Sequence, residues 1–228
     1  MWIARHSRRD YLNCLTATAR EKENRKEDDR MTTNVLYIDC CIRGGESRTR
    51  QLGEAFLFGL AIREEFVIDR LNLMEEPLVP LTGDFFLQRE RLLAAGSLSH
   101  PRFRYAHQFA AADRIVIAAP FWDLSVPALL KIYIENVSVQ GITFDISEVD
   151  GISGICRAEK MFFLTTRGGA YSQSPLETGV PMLRNLASFF GIKEFDYIAA
   201  DGLDLLLEPP EIILGRAIRE AQDRAVIW

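Results

Sequence analysis

The sequence of 228 residues has few cysteines and histidines, no long apolar run and no excess of positive charge. Its four cysteines, Cys14, Cys40, Cys41 and Cys156, show no repeated spacing, so neither a disulfide framework nor a metal site is predicted. The formal net charge of −5 argues against nucleic acid as a partner. No apolar run approaches the roughly 20 residues that span a membrane. We therefore expect a cytoplasmic protein with reduced thiols and no membrane partner.

The beginning of the chain differs in composition from the rest. Residues 20–30 read REKENRKEDDR, in which only Asn24 is uncharged, and such a segment has nothing to bury. The preceding residues lack the apolar core of a signal peptide. We predict that residues 1–33 form a disordered extension and that residues 34–228 form one domain. With 48% hydrophobic residues, the chain has enough apolar side chains for a single core.

From Val35 onward, short apolar runs alternate with segments of helical spacing. Strands are predicted at Val35–Ile38, Phe66–Ile68, Arg114–Ala119, Met161–Thr165 and Phe195–Ala199. Helices are predicted at Arg48–Arg63, Asp84–Ala95 with Asp84 as its cap, Arg102–Asp113, from the N-cap Ser125 to Val139, Val180–Phe190 ending at Gly191, and from Pro209 onward, while Leu71–Gly83 is predicted to be a loop. The alternation predicts a flavodoxin-like three-layer α/β sandwich with a five-stranded parallel sheet in the order 2-1-3-4-5.

The segment 35–49, VLYIDCCIRGGESRT, has the pattern of a strand, a loop with two glycines and a helix start. A helix N-terminus presents free N–H groups, so the hydroxyls of Ser47 and Thr49 and the charge of Arg48 predict a phosphate site. The GK[ST] ending of a P-loop and the GxGxxG pattern are both missing, which favours one phosphate over a dinucleotide pyrophosphate. A simple helix cap explains Ser47 equally well.

Two further loops follow strands that should end at the same edge of the sheet. In Pro120–Ser125 (PFWDLS), Phe121 and Trp122 either line a flat ring or plug the sheet edge. In Thr165–Tyr171 (TTRGGAY), two glycines either allow a ligand to approach the backbone or form a plain turn. A phosphate site, a wall for a flat ring and a backbone that a ligand can approach closely together predict a flavin mononucleotide (FMN).

The three segments resemble those of the FMN-dependent azoreductase and NAD(P)H:quinone reductase family. The likeness extends from Val35 over most of the chain, and rests on Ala118–Lys131 (AAPFWDLSVPALLK), Gly141–Phe144 (GITF) and Thr166–Gly169 (TRGG). It implies FMN as cofactor, NADH or NADPH as hydride donor, and small acceptors such as quinones or azo compounds. It also implies a homodimer in which residues of the partner roof each flavin. The segment Leu71–Ser99, with Phe85 and Phe86, either forms part of that roof or fills the core of its own domain.

The resemblance further implies which residues hold FMN. These are Cys41, Ser47, Arg48 and Thr49 at the phosphate, Pro120, Phe121, Trp122, Asp123 and Leu124 against the ring, and Thr166, Arg167, Gly168 and Gly169 at its pyrimidine end. Two positions depart from the family pattern. Cys41 stands where a serine is usual, and Asp123 stands where an asparagine is usual. An ionised carboxylate cannot donate a hydrogen bond to the flavin.

The family chemistry is a ping-pong transfer of hydride from NAD(P)H through FMN to the acceptor. The resemblance implies that Arg167 and the N–H groups of Gly168 and Gly169 stabilise the negative charge of reduced flavin. Tyr171 is then the residue that donates a proton or hydrogen bond to a quinone oxygen. Replacement of Arg167 by alanine is expected to slow turnover without loss of the fold. Two alternatives remain open, a flavodoxin-type electron carrier and a flavin-free regulatory protein that retains the fold.

Overall fold

The computed structural model describes residues 32–63, 65–149 and 151–228. The predicted extension over residues 1–33 lies outside the described residues, except for its last two positions. Thr33, which the sequence prediction assigns to the extension, is the first residue of the first strand.

Five strands form the main sheet, in the order β2-β1-β3-β6-β7. The described part of the chain has seven strands in all, β1 (Thr33–Asp39), β2 (Phe66–Asn72), β3 (Arg114–Ala118), β4 (Phe144–Ser147), β5 (Gly151–Gly154), β6 (Lys160–Thr166) and β7 (Glu194–Ala200), of which β4 and β5 lie outside the main sheet. The pairs β1–β3, β3–β6 and β6–β7 are parallel. The predicted order 2-1-3-4-5 is therefore confirmed. The sequence reading missed the separate antiparallel pair β4–β5, because each of its strands has only four residues.

The helices correspond to the predicted ones with shifted ends. They are α1 (Arg48–Ala61), α2 (Gly83–Ala94), α3 (Arg104–Ala111), α4 (Ala128–Val137), α5 (Gly179–Phe189) and α6 (Pro210–Ile227). Two predicted caps were wrong. Thr82, not Asp84, precedes α2, and Pro127 directly precedes α4, so Ser125 lies outside the helix. The predicted loop from Leu71 begins later than expected because β2 continues to Asn72.

Side chains of the central strands alternate between two hydrophobic cores, as expected for a sheet covered on both faces. Leu36 and Ile38 belong to the core beneath α3, α4 and α5. Val35 and Tyr37 belong to the core beneath α1 and α6, where the Phe56 and Trp228 rings lie 5.4 Å apart. The domain thus has three layers, with the sheet in the middle.

The parallel pairing brings the carboxyl ends of β1, β3 and β6 to one edge of the sheet. The loops that follow these strands are the three that the sequence singles out. Among the described helices, none is both long and apolar enough to cross a membrane. No group of His, Cys, Asp or Glu in the described part of the chain is arranged to hold a metal ion.

Candidate functional site

A cavity opens at this edge of the sheet, where the loops after β1, β3, β6 and β7 meet. The described residues that line it are Ile42, Arg43, Ser47, Arg48, Thr49, Pro120, Phe121, Trp122, Thr166, Arg167, Gly168, Leu203 and Asp204. Most of the predicted cofactor-binding residues therefore lie at one place. Cys41, Asp123, Leu124, Gly169 and Tyr171 are not among the described lining residues.

The loop after β1 places polar groups at the N-terminus of α1. Ser47 is the N-cap, and its Oγ accepts a hydrogen bond of 3.2 Å from the Arg50 N–H, so the capping role is confirmed. The Thr49 hydroxyl lies 2.6 Å from that of Thr166 and joins α1 to the end of β6. Because Ser47 and Thr49 both line the cavity, capping and ligand binding are compatible at this helix end.

Two guanidinium groups lie beside the same helix end. Arg43 is exposed and forms no ion pair with any described residue. Arg48 reaches across the cavity to Asp204, with 2.8 Å between its Nη1 and the carboxylate Oδ1. A third arginine, Arg50, is bound to Asp39 at 2.7 Å and does not line the cavity. The helix end is therefore electropositive, and the carboxylate of Asp204 already neutralises the charge of one of its two guanidinium groups.

Cys41 faces the interior of the protein instead of the cavity. It is fully buried in the core beneath α1 and α6, its N–H donates to Asp39 Oδ1, and its thiol lies 3.7 Å from the Ala118 carbonyl. Burial raises the pKa of the Cys41 thiol, so the group is a protonated core residue. The neighbouring residues Ile42 and Arg43 line the cavity, and the sequence reading did not single them out.

The loop after β3 presents its aromatic residues on a strained turn. Trp122 and Ser125 exchange two backbone hydrogen bonds, and the residues between them, Asp123 and Leu124, have φ of 48° and 65°. Positive φ at both central positions defines a type I′ turn, which non-glycine residues adopt at a cost. Thr178 holds the turn by donating from its N–H and its hydroxyl to the Leu124 carbonyl. The turn keeps the Trp122 side chain 43% exposed beside the cavity.

Arg167 forms the centre of a buried charge cluster. Its side chain is 1% exposed and lies 3.2 Å from Asp201 and 3.3 Å from Glu177. The other Asp201 oxygen accepts hydrogen bonds from the N–H groups of Tyr171 and Ser172 and from the Ser172 hydroxyl. The two Nη groups of Arg167 thus pair with carboxylates and hold the loop 167–178 against the end of β7, while its buried Nε has no hydrogen-bond partner among the described residues.

Contacts inside the protein explain why both of these loop positions are glycine. A side chain on Gly168 would collide with the Asp204 carboxylate, and one on Gly169 would collide with the Tyr171 ring. Neither glycine N–H donates to another described residue, and Gly168 lines the cavity while Gly169 follows it directly. The Tyr171 ring packs on Phe121, with 4.8 Å between centroids, and so lies next to the aromatic wall of the cavity.

The sequence reading missed three acidic residues of this site, Glu177, Asp201 and Asp204. The last two follow β7, whose carboxyl end lies at the same edge as the other loops. Their position after a predicted strand was a usable signal. No feature of the sequence indicated that Glu177 pairs with Arg167, because the pair forms only through the conformation of the loop between the two residues.

The family comparison agrees with the observed sheet order. A family model described as a flavodoxin-like fold matches residues 33–225. The chain is 36% identical over 198 residues to an FMN-dependent NADH:quinone oxidoreductase of Clostridium beijerinckii, a match covering 84% of this chain and 97% of that protein. It is 39% identical over 205 residues to an enzyme of the same name from Caldicellulosiruptor saccharolyticus, with 84% and 97% covered.

Solved structures give the same picture of the fold. An azoreductase from Bacillus anthracis superimposes with a TM-score of 0.77 and 25% identity, covering 86% of this chain and 100% of that one. An FMN-dependent NADH-azoreductase from the same species, in complex with FMN, has a TM-score of 0.74 and 21% identity, covering 85% and 98%. At that identity the second likeness concerns the fold alone.

Proposed function

We propose that this chain, which belongs to the flavodoxin-like family, is an FMN-dependent NADH:quinone oxidoreductase that also reduces azo compounds. The observation that carries the proposal is the cavity where the loops after β1, β3 and β6 meet. It combines a helix N-terminus, two guanidinium groups and an aromatic wall at the edge where parallel α/β sheets bind their ligands.

The residues present fit FMN at both ends. Ser47, Thr49 and the free guanidinium of Arg43 offer donors and charge to a phosphate at the start of α1. Phe121 and the half-exposed Trp122 offer an apolar wall to a flat ring. Cys41 takes no part in this fit, because it faces the core, and the serine usual at its position is not needed for the donors named here.

When bound, FMN supplies the redox chemistry, since it accepts a hydride from NADH and delivers the electrons to a quinone or azo compound. The chain's own residues hold and shield that site. The free N–H groups of Gly168 and Gly169 point to a role in stabilising negative charge at the ring. Arg167 is surrounded by two carboxylates, so we assign it the role of positioning this loop.

Tyr171 remains our candidate for the proton or hydrogen-bond donor to the acceptor. Its backbone N–H is anchored by Asp201 at 3.0 Å, and its ring rests on Phe121. No described residue bonds to its hydroxyl, which is therefore available to a substrate. The Asp123 side chain does not line the cavity, and its place on the strained turn supports a role in orienting Trp122.

A homodimer is part of the proposal. Helix α2 has no fully buried residue in the described structure, and it exposes Phe86 and Leu87 to 40% and 47%. Exposed apolar side chains that the rest of the domain does not cover are typical of an interface. A cytoplasmic location is supported by the free thiols of Cys40, Cys41 and Cys156.

Steady-state kinetics test the proposed activity. NADH oxidation by the FMN-loaded protein is measured while NADH and a soluble benzoquinone are both varied. If NADH and the quinone occupy the same pocket in turn, the first product leaves before the second substrate binds. Plots of reciprocal rate against reciprocal NADH concentration at different quinone concentrations should then be parallel. A protein that binds FMN but leaves NADH unoxidised would instead be an electron carrier, and a colourless protein indifferent to FMN would be a flavin-free relative.

A further inference from the structure

An ion pair crosses the cavity at its phosphate end. Arg48 is the first residue of α1, and its Nη1 lies 2.8 Å from Oδ1 of Asp204 in the loop after β7. Both residues line the cavity, and they are separated by 156 positions in the chain. The pair thus links the helix end that would bind a phosphate to the opposite wall.

Asp204 is held in place independently of Arg48. Its N–H donates to the Gly168 carbonyl at 2.9 Å, and the N–H of Leu203 donates to the Arg167 carbonyl at 3.1 Å. The Asp204 carboxylate occupies the space that a side chain on Gly168 would fill. The backbone bonds therefore keep Asp204 beside the cavity, with its carboxylate within reach of Arg48.

The position of this carboxylate is unfavourable for an anionic ligand. A phosphate at the start of α1 gains from the helix dipole and from the neighbouring guanidinium groups. Asp204 neutralises one of these groups and adds a negative charge of its own. The bond to Asp204 draws the Arg48 guanidinium towards that carboxylate, and a phosphate would attract the same positive group, so the two anions compete for its charge and orientation.

We propose, resting on the function above, that the Arg48–Asp204 pair is a clasp that limits the affinity of the cavity for FMN. Asp204 is the affinity-determining residue, because it holds Arg48 away from an incoming phosphate. The side chains are 38% and 69% exposed, so solvent screens the pair and the clasp opens at little cost. The effect is a tuning of affinity, without a block on binding.

The test measures the dissociation constant of FMN by quenching of flavin fluorescence, in the wild-type protein and in Asp204→Asn. The substitution keeps the shape and the backbone bonds and removes the charge. We expect FMN to bind roughly three- to tenfold more tightly to Asp204→Asn, as for an exposed charge near a dianion. Riboflavin, which lacks the phosphate, should bind equally well to both proteins.

Two controls separate the clasp from a general change in charge. Glu208→Gln removes the same charge from the same loop, at a residue paired with Arg216 and absent from the cavity lining, and should leave FMN affinity unchanged. Arg48→Met should weaken FMN binding. In the Arg48→Met background, the gain from Asp204→Asn should shrink, because no guanidinium is left to release.

The clasp is overturned if Asp204→Asn binds FMN as the wild type does or more weakly, since Asp204 would then hold Arg48 in its binding position. An equal gain for riboflavin would also overturn it. If the wild-type protein binds neither flavin, the proposed function itself fails. That outcome is distinguishable, because it appears before any variant is compared.

Discussion

Arg167 Nη1 lies 3.2 Å from Asp201 Oδ1, and this buried pair joins the loop after β6 to the end of β7. The second Asp201 oxygen accepts the Tyr171 N–H at 3.0 Å, and Tyr171 in turn packs on Phe121. The aromatic wall of the cavity is therefore held by charges that lie beneath it. The position of this wall therefore depends on the ion pairs that Glu177 and Asp201 form with Arg167.

Arg167→Ala should destabilise the protein, in contrast to the expectation drawn from the sequence resemblance. The substitution leaves Glu177 and Asp201 as mutually repelling buried carboxylates. Removing one partner of a buried pair costs about 3–5 kcal/mol. Urea unfolding should show this loss in the free energy of unfolding. Arg216→Ala, which breaks an exposed pair, is the matched control and should leave the free energy of unfolding close to that of the wild type.

If Arg167→Ala unfolds at the wild-type urea concentration, the ion pairs contribute nothing to the fold. If it also turns over slowly, Arg167 would act on the flavin directly. The two roles are thus separated by measuring stability and turnover on the same preparation.

Ser47 should contribute to stability and to FMN affinity by different routes. Ser47→Ala removes the cap and should lower the free energy of unfolding by about 1 kcal/mol, whereas Ser47→Gly should cost only a few tenths. Both variants lose the hydroxyl beside the phosphate position and should bind FMN more weakly by similar factors. Equal stabilities would contradict the capping role, and wild-type affinity would place the phosphate elsewhere.

Leu124→Gly should stabilise the protein. Leu124 adopts φ of 65°, and glycine removes the steric cost of that conformation at the price of some unfolded-state entropy. We expect a net gain of about 0.5–1 kcal/mol, from the difference between those two terms. Leu176, exposed to 54% and without positive φ, provides the control, since Leu176→Gly should bring no gain. A loss of stability in Leu124→Gly would show that packing of the leucine outweighs the strain.

Alkaline pH should weaken the fold through the buried thiols. Burial raises the pKa of the Cys40 thiol and that of the Cys156 thiol to about 12, from an ordinary value near 9. Between these values the unfolded chain releases thiol protons that the native chain retains, so stability is full below pH 9 and falls as pH rises towards 12. The limiting slope is about 1.4 kcal/mol per pH unit for each thiol.

Urea unfolding at pH 9, 10 and 11 measures this slope, which approaches its limiting value above pH 9. Cys156→Ala should reduce it, because one raised thiol is removed. An identical slope in the variant would assign the pH dependence to other groups.

The sheet order and the meeting of three loops were predictable because they follow from periodicity and from the parallel connection rule. Val35–Ile38 and Arg114–Ala119 are apolar on both faces, which is typical of central strands. The short β4–β5 pair was not predictable in the same way, since four residues carry too little alternation. Serine is a common helix N-cap, which is why Ser125 was predicted as one. In the structure, the backbone of Ser125 instead closes the turn by exchanging two hydrogen bonds with Trp122.

The site was predicted at the level of its loops and less well at the level of side-chain direction. Ser47, Thr49 and Trp122 line the cavity as the sequence indicates. Cys41 does not, because the alternation of β1 continues beyond the predicted strand end at Ile38 through Cys40 to Cys41 and turns the thiol into the core. The partners of Arg167 and Arg48 were not predictable, since each pair joins segments that become neighbours only in the folded sheet.

The most direct test of the account follows the flavin spectrum through both halves of the reaction. The FMN-loaded protein is freed of unbound flavin, made anaerobic and mixed with one equivalent of NADH. Benzoquinone is then added after the NADH is consumed. The proposed function predicts that NADH bleaches the flavin band and that the quinone restores it in full. A band that NADH leaves unchanged, or a reduced protein that the quinone does not reoxidise, would contradict the proposed function.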